Sequence, residues 1–150
     1  MAQGISVEAF NIKHARERFK GMQERAKNPK TTMEVIGIKA WKDVISHFRE
    51  QSGPDGFWPR LSASTIKSRR KGKKKGGPKI LQDTGRLRMA NRWKIVDGGF
   101  TVKVFNNTKY AKYHDSDEPR RGSLPQRKFM WLSPELESKF AHMLVEYIAE

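Results

Sequence analysis

The sequence predicts an α+β fold in which helices pack around a small antiparallel β-sheet. Apolar residues recur at helical spacing near both ends of the chain, and two short segments around a glycine turn alternate as strands do. A length of 150 residues suits one domain, which we predict to span 1–150. With 36% hydrophobic and 31% charged residues, the predicted core is modest, which leaves room for burial between subunits.

Two helices are predicted in the first third of the chain. The first runs from about residue 6 to 26 and ends before Pro29. The second begins at a cap on Thr31 or Thr32 and stops near Gln51. Because the turn between them is short, they are expected to pack as an antiparallel pair. The second helix carries one apolar stripe, formed by Met33, Ile36, Ala40, Trp41, Val44, Ile45 and Phe48.

The middle of the chain predicts two short helices on either side of a glycine-rich basic loop. Ser62 can cap a helix over 63–70, and Thr84-Gly85 can open another that runs to Asn91. The loop between them covers about residues 67–79, where Gly72, Gly76 and Gly77 break any regular structure.

The last third predicts a β-hairpin and a terminal helix. Residues 93–96 and 100–105 alternate in polarity around Asp97-Gly98-Gly99, which is typical of a hairpin. A single helical turn is expected over 109–114, and an edge strand over 125–132. The C-terminal helix is predicted at about 133–150, with Ser133 as its cap and proline at its first position.

The net charge of +15 is concentrated in the middle of the chain. Residues 51–100 hold 13 basic and 3 acidic side chains, whereas residues 101–150 hold 8 and 7. Such a segment either faces water, contacts DNA phosphates without reading sequence, or meets an acidic partner. The candidate contact residues of this basic loop are Lys67, Arg69, Arg70, Lys71, Lys73, Lys74, Lys75 and Lys79.

The composition and the absence of catalytic motifs argue against an enzyme. There is no cysteine, no apolar run of membrane-spanning length and no export signal, so we predict a soluble protein without disulfides. No cofactor site is expected. His114 beside Asp115, Asp117 and Glu118 is the one arrangement that could hold a divalent cation, but consecutive carboxylates more often face solvent, so no metal site is predicted.

Aromatic side chains are the other group that a surface function could use. Large aromatics anchor cores, but beside charged residues they are also typical of subunit contacts. The candidate subunit-interface residues are Trp58, Arg127, Phe129 and Trp131.

Four motifs in a fixed order identify a resemblance. They are Gly56-Phe57-Trp58-Pro59-x-Leu61-Ser62-x-x-Thr65, Ile80-Leu81-x-x-Thr84-Gly85-x-Leu87, Tyr110-Ala111-x-x-His114 and Pro125-Gln126-Arg127-x-Phe129. In this order the chain resembles the phage virion morphogenesis family, the tail completion or neck proteins of tailed phages. The resemblance covers roughly Ile36 to Leu144.

The resemblance implies a structural virion protein that completes the tail or joins it to the head at the neck, as a ring subunit around the DNA channel. It implies no catalysis and no cofactor. The implied partners are copies of the chain itself, with a hexamer as one option, adjacent head-completion or connector proteins, tail terminator or tail tube proteins, and the DNA in the lumen, but no membrane. The implied location is the head–tail junction of the virion, after assembly in the host cytoplasm.

A second hypothesis from another class remains open. The chain could be a small basic nucleic-acid-binding protein that contacts phosphates non-specifically through the 67–79 loop. The glycines and the lack of interleaved aromatics argue against sequence-specific or single-strand recognition by that loop.

Overall fold

The computed structural model describes residues 12–71, 78–116 and 124–150, and it confirms the α+β class. Its helices are α1 (Ile12–Lys27), α2 (Lys30–Glu50), α3 (Ala63–Lys71), α4 (Arg86–Met89), α5 (Lys112–Asp115) and α6 (Pro134–Ala149). Its strands are β1 (Ser52–Gly53), β2 (Gly56–Phe57), β3 (Asn91–Val96) and β4 (Thr101–Asn106). They form two antiparallel pairs, β1 with β2 and β3 with β4.

Helix α2 is the central element, because its apolar stripe supplies two buried clusters. Its first half packs against Phe140 of α6 and the inner side chains of the β3–β4 hairpin. Its second half packs against the segments that lead into and out of α3 and α4. The first cluster contains Met33, Ile36, Ala40 and Phe140. The second contains Val44, Phe48, Trp58, Ile80, Leu81, Leu87, Ala111 and Phe129.

The β3–β4 hairpin forms as predicted, with slightly different ends. The strands pair in register from Asn91 opposite Asn106 to Val96 opposite Thr101. The connection is a 3-10 turn over Asp97–Gly99, and all three of its residues have positive φ (54°, 66° and 109°). Two glycines in a row therefore serve a turn that side chains with a Cβ adopt only at a cost.

The helix predictions are confirmed in outline and corrected in detail. α2 starts at Lys30 directly after Pro29, so Thr32 is a buried residue inside the helix rather than its cap. α1 makes its main contacts with α6 and not with α2, so the predicted antiparallel pair is wrong. The guanidinium of Arg25 on α1 donates two hydrogen bonds to the carbonyl of Ile148 on α6 (3.1 and 3.3 Å), and this long-range contact leaves no periodic signal in the sequence.

Two predictions in the last third also change. The predicted edge strand over 125–132 is an irregular segment in the structure, where residues 124–133 form neither helix nor strand. α6 begins after Ser133 as predicted, but the Ser133 hydroxyl donates to the Asp43 carboxylate of α2 (3.4 Å) and makes no cap hydrogen bond. A long-range partner has replaced the local one.

Gly37 marks the point where the hairpin packs on α2. A Cβ built on Gly37 would lie 2.2 Å from Cε3 of Trp93 on β3, so only glycine fits there. One turn further along the helix, the indole Nε1 of Trp41 donates to the carbonyl of Asn91 (3.0 Å). These two tryptophans fix the distance and orientation of the hairpin on the helix.

Candidate functional site

A cleft of about 760 Å³ is the main concave feature near the basic middle of the chain. Residues from all four sequence motifs line it, although the motifs are spread from residue 56 to residue 129. The lining consists of Arg60, Leu61, Ser62, Thr65, Arg69, Leu81, Asp83, Thr84, Gly85, Arg86, Leu87, Tyr110, His114, Leu124, Pro125 and Arg127. The motifs therefore describe one site, in which leucines form much of the wall and arginines supply the charge.

Arg127 joins the first motif to the fourth. Its side chain is only 5% exposed, and its guanidinium donates from Nε to the carbonyl of Pro59 (3.0 Å) and from Nη2 to that of Arg60 (3.2 Å). In return, the indole Nε1 of Trp58 donates to the carbonyl of Lys128 (2.8 Å). Because a guanidinium is planar and forked, it can hold two adjacent carbonyls at once.

Side chains from other elements hold the irregular segment 124–133 in place of a neighbouring strand. The Asp115 carboxylate accepts from the backbone N–H groups of Phe129 (3.0 Å) and Met130 (2.8 Å). The Asp43 carboxylate accepts from the backbone N–H of Ser133 (3.1 Å). A buried backbone donor needs a partner, so these two aspartates replace the hydrogen-bond ladder that a sheet would supply.

Asp115 therefore has a structural task that can be tested. We expect Asp115→Ala to lower the free energy of unfolding by about 2 kcal/mol, because two part-buried backbone donors lose their acceptor. Asp115→Asn keeps an acceptor oxygen, so its free energy of unfolding should fall by less than half as much as that of Asp115→Ala. Urea denaturation of both variants measures the difference, and equal losses would contradict this account.

His47 completes the support from α2. The ring is 2% exposed, and its Nδ1 lies 3.0 Å from the carbonyl oxygen of Phe129. Its Nε2 lies 3.6 Å from the carboxylate of Asp43. The ring also stacks on Trp131 with centroids 4.2 Å apart and planes 9° from parallel. His47 thus links α2 to both aromatics of the segment, Phe129 and Trp131.

Arg69 brings the two ends of the basic segment together. Its Nη1 donates to the carbonyl of Lys79 (2.9 Å), and its Nε lies 3.5 Å from the carboxylate of Asp83. Lys67 and Lys79 are exposed. The part of the segment up to Lys71 belongs to α3, so the predicted loop begins on a helix, which Ser62 caps by accepting from the N–H of Thr65 (3.2 Å).

The remaining basic candidates cannot be placed in the same way. Arg70 and Lys71 lie at the end of α3, and their side chains fall outside the described part of the structure. Lys73, Lys74 and Lys75 lie wholly outside the described residues. Their contact with DNA or an acidic partner stays a prediction.

Three of the four interface candidates are buried within the subunit, and the fourth is half-buried. Trp58 and Phe129 are buried in the cluster around α2, at 5% and 1% exposure. Arg127 is buried on the carbonyls described above, and Trp131 is half-buried against His47. The side chains of Trp58, Arg127 and Phe129 are thus covered within the subunit, and a subunit contact through Trp131 stays a prediction. In the first motif, the exposed aromatic side chain is that of Phe57, next to Trp58, at 86% exposure.

The structure offers little support for metal chemistry at His114. Asp115 beside it is already bound to two backbone donors, while Asp117 and Glu118 lie outside the described residues. Within the described ranges, no group of three or more histidines and acids is placed to hold a metal ion. None of the described helices is long and apolar enough to cross a membrane.

Comparison with known families decides the identity at the level of the family. A model of the phage virion morphogenesis family matches residues 10–149. The chain belongs to the phage virion morphogenesis family. The match contains all four motifs and confirms the resemblance stated from them. No curated protein and no solved structure gives a significant match.

Membership in the phage virion morphogenesis family makes the chain a virion structural and assembly protein. The family is a structural and assembly family that is not known for enzymatic activity. The charged side chains that line the cleft are four arginines and one carboxylate, Asp83.

Two residues of the cleft did not emerge from sequence reasoning as candidates. Arg60 and Arg86 line the cleft and are exposed. Both occupy unspecified positions inside motifs, next to Leu61 and Leu87 respectively. The sequence did contain a signal for them. Each arginine directly precedes a leucine of a motif, and that leucine fixes the place of its neighbour in the fold even though the motif does not specify the neighbour's type.

Proposed function

We propose that this chain completes the phage tail or joins it to the head at the neck, as a ring subunit around the DNA channel. The family match over residues 10–149 carries the proposal, because it covers the fold as well as the motifs. In this role the protein acts through shape and self-assembly, with copies of itself and adjoining connector or tail proteins as its partners.

Two structural features support a subunit of an assembly. The side chain of Phe57, on the β1–β2 hairpin, is 86% exposed, and Phe100 beside the β3–β4 turn is 54% exposed. Apolar side chains of this size at hairpin ends are natural contacts for a neighbouring subunit. The charge of the middle third would be repeated around a ring, and its summed positive field would face DNA or an acidic neighbour.

The absence of cysteine offers a direct test of location. Lys139→Cys, on an exposed position of α6, would be the only thiol in the chain, so a maleimide gold particle marks each subunit once. Labelled protein added to tails assembled without it should place gold at the head-proximal end of the tail in electron micrographs. Gold at the distal end, or tails that bind none, would overturn the proposal.

The nucleic-acid-binding alternative has the basic segment in its favour and predicts a different result. If the chain is a DNA clamp, its affinity for DNA should fall steeply as the salt concentration rises. Replacement of Lys71, Lys73, Lys74 and Lys75 by glutamine should then abolish its function. A neck subunit should keep its attachment to tails after the same change. Joining of heads to tails in vitro, measured with the wild-type protein and with the glutamine variant, distinguishes the neck subunit from the DNA clamp.

A further inference from the structure

The cleft presents two arginines whose charges the described part of the subunit leaves uncompensated. Arg60 precedes α3 and Arg86 opens α4, and both side chains are exposed. Among the described residues, neither guanidinium has an ion-pair partner, whereas Arg69 lies beside Asp83 and Arg127 holds two carbonyls. An exposed charge at the edge of a partly apolar cleft is well placed to bind an anionic group.

Apolar side chains occupy the cleft beside these charges. Leu81 and Leu87 are buried in its wall. At the surface, Tyr110 is 39% exposed and Leu124 is 42% exposed, and both line the same cleft. A ligand that fills it must therefore bury apolar groups as well as satisfy cations.

We propose that this cleft binds an extended acidic peptide segment of a neighbouring virion protein. An apolar side chain of the segment packs against the exposed parts of Tyr110 and Leu124, and flanking carboxylates pair with Arg60 and Arg86. In an extended peptide, side chains two residues apart on one face are about 6.5–7 Å apart, so a short stretch supplies both kinds of group. The inference rests on the proposed assembly role and names the chemistry of the partner.

The lining favours a peptide over nucleic acid. Phosphate contacts come from cations and hydrogen-bond donors, and single-stranded bases need aromatic faces to stack on. This cleft offers two aromatic rings, Tyr110 and the half-buried imidazole of His114, beside four leucines that a phosphate backbone cannot use. Its volume of about 760 Å³ lies within the range typical of sites that enclose a small ligand or a few side chains.

Fluorescence anisotropy on the full chain tests the inference. The probe is a fluorescein-labelled pentapeptide, Asp-Ser-Leu-Ser-Asp with blocked ends, in which the leucine and both aspartates lie on one face when the peptide is extended. Its counterpart carries asparagine in place of aspartate. We expect the acidic peptide to bind, and both R60Q and R86Q to weaken its binding about tenfold or more. R88Q is the matched control, because Arg88 is exposed on the same helix as Arg86 but does not line the cleft.

Three results would overturn the inference: equal binding of the asparagine peptide, equal weakening by R88Q, or a labelled DNA duplex that displaces the acidic peptide. Joining of tails to heads by the R60Q/R86Q double variant then separates the two proposals. If the wild-type protein is absent from the neck, the proposed function fails whatever the peptide result. If the wild-type protein joins heads to tails and the double variant does so equally well, the cleft inference alone fails.

Discussion

Arg127→Met is expected to lower the free energy of unfolding by about 3 kcal/mol, since each hydrogen bond from a charged donor contributes ~1.5–3 kcal/mol. The guanidinium holds the carbonyls of Pro59 and Arg60 from a site that is 5% exposed. Methionine matches much of the length of arginine but donates nothing, so both carbonyls lose this partner. Urea denaturation measures the loss as a shift of the transition midpoint, provided that the slope of the free energy against urea concentration is unchanged.

Arg127→Lys separates geometry from charge. Lysine keeps the positive charge but places it at a single point, so it cannot serve two carbonyls through a rigid fork. We expect it to restore about half of the stability that methionine loses. Arg86→Gln is the matched control for charge, because it removes a cation from the same cleft without breaking a side-chain hydrogen bond within the described residues, and should change stability by less than about 0.5 kcal/mol. If lysine proved as stable as arginine, the forked contact would not explain the burial of Arg127.

The elements with a local signal were predictable from sequence. The stripe of α2 from Met33 to Phe48 repeats at helical spacing, and five of its seven residues are buried, all but Trp41 and Ile45. The β3–β4 hairpin follows from alternation around two glycines at Gly98 and Gly99, which the turn uses at positive φ. In both cases the sequence pattern follows from the periodicity of the element itself, so residues close in sequence are enough to predict it.

The segment 124–133 shows why other parts were not predictable. Its apolar alternation around Phe129 predicts a strand, but none of the strands in the described part of the chain pairs with it. Its backbone donors are satisfied instead by Asp115 and Asp43, which lie 14 and 90 residues away from their partners Phe129 and Ser133. Side chains that replace a hydrogen-bond ladder leave no periodicity, so only the folded chain reveals them.

The candidate site was half predictable for a similar reason. The motifs identified the residues that build its walls, but the pattern gave no indication that stretches around Trp58, Thr84, His114 and Arg127 meet in one cleft. The interface hypothesis for Trp58 and Phe129 follows from large aromatics that lie beside charged residues in the sequence. Their burial shows that a large aromatic beside a charge, here Arg127, can equally be the core on which that charge rests.

Gly37→Ala is expected to destabilise the protein by about 3 kcal/mol, because it inserts a methyl group into a filled space. The new Cβ would lie 2.2 Å from the ring of Trp93, which is below any real contact distance. Trp93 also carries the hairpin, and Trp41 ties the start of β3 to the same helix, so the ring cannot move without displacing β3. The loss should appear in thermal and urea unfolding alike.

The same substitution at Gly21 gives the matched control, with a much smaller effect. Gly21 also lies inside a helix, α1, where an added Cβ lies 3.2 Å from Nη1 of Arg25, so the guanidinium that donates to the carbonyl of Ile148 must shift by a few tenths of an ångström. Alanine favours a helix over glycine by about 0.5–1 kcal/mol, which offsets that shift, so Gly21→Ala should change stability by less than about 1 kcal/mol while Gly37→Ala destabilises strongly. If both variants were stabilised, the hairpin would not rest on α2 at Gly37, and the geometry that carries β3 and β4 would be wrong.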